Sequence, residues 1–108
     1  MKKTVPFEFF GENQTIYFDV LRIAELEDMI KMPVYDVVRQ SASIKLAIAG
    51  LVIGLKHHYP GITPAFVIGK MEEHFEHGGT LSELVMPIGK AIVDAGVFGG
   101  QGKEEKNS

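Results

Sequence analysis

From Leu46 to Leu55 ten consecutive residues carry neither a charge nor a polar side chain, and no other feature limits the possible folds as strongly. A bilayer span needs ~20 apolar residues, so this run is too short for a membrane and must be covered by the rest of the chain. It reads as a helix from Ile44 to His57, capped by Ser41 or Ser43 and stopped by Tyr59-Pro60-Gly61. Being apolar on nearly every side, it belongs at the centre of a small bundle. Ala47, Gly50 and Gly54 fall close to one face. A mid-helix glycine costs ~1 kcal/mol relative to alanine, and close approach of a neighbouring backbone is the expected compensation.

The other segments supply that cover. Val5, Phe7 and Phe9 alternate with Pro6 and Glu8, and after Gly11-Glu12-Asn13-Gln14 the alternation resumes at Ile16 and Phe18, a hairpin pattern. An isolated hairpin is marginal in water, so its Phe-rich face must pack on something else. Asp19 is placed to cap a helix carrying Ile23, Leu26 and Ile30, in which Glu27 is spaced to pair with Lys31. That helix should stop before Pro33, and a short second helix runs from Pro33 through Arg39 with Val34, Val37 and Val38 inward. Thr63-Pro64 starts a helix with the stripe Val67, Met71 and Phe75, ended by Gly78-Gly79. Thr80 and Glu83 form a capping box opening a helix with Leu81, Leu84, Val85, Ile88, Ala91, Ile92 and Ala95 on one side. Pro87 should kink it, and Gly96 closes it.

A chain of 108 residues buries roughly 65% of its unfolded surface on folding, enough for one core. The expected fold is therefore α+β, mainly α: an N-terminal β-hairpin packed on a small bundle of four to five helices. The globular domain should span 1–98, and 99–108, without an apolar residue to anchor it, should form a disordered polar tail.

Composition removes several functions. With no cysteine, disulfides and thiolate chemistry are excluded. The net charge is -3 and the basic residues are dispersed, which disfavours nucleic acid as partner. The basic start Met1 to Thr4 is followed by Pro6 and Glu8 rather than by the apolar stretch of a signal peptide, so a cytoplasmic location is expected. His74 and His77 are spaced as two metal ligands, but no motif supplies a third or fourth. A solvated helix end, where histidine complements the dipole, accounts for them, and for His57 and His58. Glu72, Glu73 and Glu76 read as an exposed helix face rather than an acid–base pair. No phosphate loop or nucleophile motif occurs, and Ser41, Ser43 and Ser82 have no histidine nearby in sequence. No catalytic residue, cofactor or metal is assigned.

The order of features resembles a family. A hairpin leads to a helix with the step Leu26-Glu27. A small-residue-rich apolar helix follows with Ala49-Gly50-Leu51 and Gly54-Leu55. The link Pro60-Gly61-Ile62-Thr63-Pro64 opens the next helix, and an amphipathic helix and polar tail finish the chain. This layout resembles the small tail assembly chaperones of long-tailed phages, prophages and gene-transfer agents. The resemblance implies a non-enzymatic protein of the bacterial host cytoplasm that keeps the tape measure protein soluble and helps recruit tail tube protein, with self-association into a homo-oligomer open. It also implies a longer form made by ribosomal frameshifting, and a slippery G-GGA-AAR string is one of the possible encodings within Gln101-Gly102-Lys103.

For the binding surface, the excess of Phe in the hairpin points to an apolar groove beside the hairpin and the last helix that takes up an amphipathic client helix. Phe10 and Tyr17 are the expected surface contacts, and Phe98 is either a lock on the helix end or an exposed anchor. Met29, Met32, Met71 and Met86 read first as core filling and second as an adaptable surface. The rival class is a small helical regulatory or DNA-binding protein of a mobile element. Its recognition helix would be Thr80 to Ala95, where Lys90 is the only base and Glu83 and Asp94 oppose phosphate.

Overall fold

Strands β1 (Thr4–Pro6) and β2 (Thr15–Tyr17) pair antiparallel, with Val5 opposite Ile16, in a computed structural model that describes residues 3–39 and 42–99. The Phe7 N–H extends the ladder by donating to the Gln14 carbonyl at 2.8 Å. Val5, Phe7, Ile16 and Phe18 are buried together, as the alternation predicts. Past Phe7 the alternation ends. The Glu8 carboxylate accepts the Asn13 N–H at 2.9 Å, and Asn13 adopts a left-handed φ of 60°, so the chain bends through the tip. This turns Phe10 inward, 8% exposed with its ring 5.1 Å from that of Phe7, and leaves Phe9 46% exposed. Phe10 is therefore a core residue, correcting its expected place on the surface.

Helix α1 (Val20–Ile30) starts where Asp19 accepts the Arg22 N–H, and it ends at Lys31, whose φ is left-handed. The Lys31 N–H still donates to the Glu27 carbonyl at 2.8 Å, but the side chains do not pair. The Glu27 carboxylate instead accepts the Val34 N–H at 2.7 Å and ties down the next segment, while Lys31 lies 3.6 Å from Asp28. The single turn α2 (Val34–Val37) is shorter than expected, because Arg39 closes a tighter bond onto Asp36. Val34 and Val37 are buried and Val38 half-buried.

Helix α3 (Ile44–Gly54), capped by the Ser43 hydroxyl, is the central element and packs against α1, α4, α5 and β2. It ends before His57, since Lys56 and His58 bond back to the carbonyls of Ile53 and Leu55 in a tightened final turn. Gly50 and Gly54 do mark close packing, but against side chains rather than a backbone. A Cβ on Gly50 would stand 2.6 Å from Ile88 Cδ1, and one on Gly54 2.8 Å from Ile16 Cγ2.

Helix α4 (Pro64–Glu76) has Thr63 as cap and Pro64 in its first turn, with Val67 and Met71 buried and Phe75 half-buried. Helix α5 (Leu81–Asp94) has the capping box in place, runs through Pro87 as one helix, and buries Leu84, Ile88, Ala91 and Ile92. Gly96, at a φ of +89°, turns the chain after it. Hairpin and helices share one core: the fold is α+β, mainly α, with the hairpin lying against α5 and α3. Except for Gly99, the expected polar tail falls outside the described residues. Among the described residues, no helix is long and apolar enough to cross a membrane.

Candidate protein-binding surface

On α5 the spacing Ser82, Val85, Met86 and Gly89 forms a stripe beside the buried one, at positions i, i+3, i+4 and i+7. This stripe faces the end of α2 and the start of α3, and between them lies a cleft of about 260 Å³. Its walls come from Val37, Val38 and Leu46 on one side and Val85 and Met86 on the other, with Ile88 and Ile92 beneath. Among the described residues that line it none is charged, and Ser82 is the only one with a polar side chain. Gly89 widens it: no atom lies within 4 Å of where its Cβ would stand. Met86, 72% exposed, stands at the rim, where an unbranched thioether adapts to different partner shapes. Of the other methionines weighed as a surface, Met71 is core, Met32 half-buried and Met29 45% exposed.

The region beside the hairpin and the last helix is different. The depression there is lined by Lys3, Tyr17, Asp19, Val20 and Asp94 among others, so charges interrupt it. The uncharged cleft lies instead between α2, α3 and α5. The three residues expected to meet a partner have separate supports. Phe10 is buried under Phe7. Tyr17 is half-buried, its hydroxyl donating to Asp19 Oδ2 at 3.4 Å and its ring 5.0 Å from the Arg22 guanidinium. Phe98 is half-buried with its ring 4.8 Å from that of Tyr35, which is 61% exposed.

The histidines hold the fold together in ways the sequence did not reveal. The Thr15 N–H donates to His58 Nε2 at 2.9 Å, and the Thr15 hydroxyl lies 3.1 Å from both His57 Nε2 and His58 Nε2. Arg22 donates to the Tyr17 carbonyl and to His57 Nδ1. A guanidinium only donates, so Arg22 is the donor toward His57 Nδ1, 3.1 Å away. His57, which is exposed as expected, and the half-buried His58 thus also link β2 to the turn that follows α3.

His74 donates from Nε2 to the Thr80 carbonyl at 3.2 Å and lies 3.2 Å from the Glu83 carboxylate, with Phe9 edge-on to its ring. His77 turns back to the Glu73 carbonyl of its own helix. The two rings therefore serve different ends, and no group of three or more potential metal ligands converges among the described residues. Glu72, Glu73 and Glu76 are exposed. Ser43 is a helix cap, Ser82 lines the cleft, and Ser41 lies outside the described residues. No model of a known family, curated protein or solved structure matches the chain.

Proposed function

We propose that the protein is a non-enzymatic phage tail assembly chaperone that holds a client helix in the cleft between α2, α3 and α5. The observation carrying this reading is the uncharged cleft with Met86 on its rim. An apolar trough between helices accepts the apolar stripe of an amphipathic helix, read as anchors at i, i+3, i+4 and i+7. Burying one large apolar anchor there contributes ~1.5–3 kcal/mol, so a few anchors suffice for a reversible complex.

The family resemblance supplies the client: the aggregation-prone tape measure protein, expected to be a long helical chain. Recruitment of tail tube protein and a place in the bacterial cytoplasm belong to the same reading. The DNA-binding alternative gains no support from α5, whose outward positions Ser82, Glu83, Met86 and Lys90 present one base, itself 3.3 Å from Asp94.

Co-expression with a tape measure protein, to be sought in the gene neighbourhood, tests the proposal. The wild-type chain should keep the client in the soluble fraction, and Met86→Glu combined with Val85→Asp should send most of it to the pellet while the helical circular dichroism stays unchanged. A client that pellets with the wild-type chain, or stays soluble with the folded variant, overturns the proposal.

A further inference from the structure

The outer edge of β2 is held by side chains rather than by a third strand. Phe7 and Gln14 share a ladder bond, so by antiparallel alternation the next pair, Pro6 and Thr15, turns its backbone groups outward. The Thr15 N–H meets His58 Nε2 there at 2.9 Å. Further along the same edge, Arg22 donates to the Tyr17 carbonyl at 3.0 Å and to His57 Nδ1 at 3.1 Å. An imidazole nitrogen accepts a hydrogen bond only while it carries no proton, and in the charged ring both nitrogens donate. The bond from the Thr15 amide therefore exists only with a neutral His58, and the bond from Arg22 only with a neutral His57.

The surroundings do not compensate a charge on His58. Among the described residues no carboxylate forms an ion pair with it. Its ring lies 4.3 Å from that of His57, and His57 in turn touches the Arg22 guanidinium. On the α1 side Glu25 is paired with Lys56 at 2.6 Å, and Asp19 accepts from the Arg22 N–H and the Tyr17 hydroxyl. The next residue, Tyr59, receives the Gln14 amide at 2.6 Å. The Thr15 hydroxyl, 3.1 Å from Nε2 of both rings, offers a protonated ring an acceptor, but the Thr15 amide then has none. His74 and His77 are a contrast. His74 Nε2 faces the Thr80 carbonyl and the Glu83 carboxylate, and His77 Nδ1 faces the Glu73 carbonyl, so a proton at those nitrogens breaks no bond.

We propose that His57 and His58 form a proton-sensitive clamp: neutral rings hold the outer edge of β2 to the turn after α3, and acidification releases it. The closed clamp favours the neutral rings. Its stabilisation is therefore whole above the range in which histidine changes charge, about pH 5 to 8, and is lost as pH falls through that range.

Amide exchange and proton NMR of the full chain between about pH 7.5 and 5.5 give the test, since histidine titrates in this window and ordinary carboxylates stay charged. As pH falls, protection of the Thr15 amide, corrected for the intrinsic exchange rate, should drop about tenfold or more. Protection of Phe7, whose N–H bonds within the hairpin, should hold. The drop at Thr15 should share its midpoint with the titration of the His58 ring. His58→Gln keeps an acceptor oxygen for the amide and removes the titration, so Thr15 protection in that chain should stay flat. His77→Gln, at an exposed position, should keep the wild-type response. Equal Thr15 protection at both ends of the range, a midpoint apart from that of His58, or a His58→Gln chain that answers acid as the wild type does, each overturns the proposal. If His58→Gln does not fold, the midpoint comparison in the wild type decides alone. None of these readouts involves the cleft by Met86 or a client, so the outcome is independent of the proposed function.

Discussion

Gly50 and Gly69 are the same residue in the same kind of element, and their surroundings give them opposite roles. A Cβ at position 50 would press on Cδ1 and Cγ2 of Ile88, at 2.6 and 2.9 Å, and Ile88 is fully buried. Gly50→Ala should therefore destabilise the protein by about 1–3 kcal/mol through overpacking. Gly69→Ala meets open space and should stabilise it by about 0.4–1 kcal/mol by restricting the unfolded chain. Urea denaturation of both variants checks the pair of signs. The sequence marked Gly50 as a packing position but not the neighbour it accommodates, since that neighbour is a side chain 38 positions away. Phe9 and Phe10 show the same limit: alternation alone puts Phe9 inward, and the bend secured by Glu8 and Asn13 puts Phe10 there instead.

Element starts were legible because caps are local. Asp19, Ser43, Thr63 and Thr80 each accept the N–H three residues on, a bond set by spacing alone. The end of α3 was not legible, because the residues after Gly54 answer to a strand more than forty positions earlier. His57 and His58 leave the helical path where they reach Thr15. His58→Ala should leave the Thr15 N–H without its acceptor and cost about 1–3 kcal/mol. It should also speed hydrogen exchange at the Thr15 amide well beyond that of Phe7, whose N–H bonds within the hairpin. Equal acceleration at both would show that the clamp is not specific to β2.

Across the whole molecule the hairpin is part of the core rather than an appendage. Val5, Phe7, Phe10, Ile16 and Phe18 all lie in the one apolar cluster, and losing a buried Phe alone costs ~3–5 kcal/mol against a total stability of about 5–15 kcal/mol. A chain starting at Asp19 should therefore lose its cooperative thermal transition in calorimetry, and retention of that transition would show that the bundle folds alone. The sequence by itself determined the α+β class, the number and order of elements, their caps and most of the buried stripes, because these follow from periodicity and from bonds between near neighbours. Tertiary structure decided which way Phe10 turns, what the histidines hold, and where apolar surface stays open. The cleft by Met86 depends on how helices distant in sequence pack. Burial is settled by the sum of those contacts, and no local pattern records it.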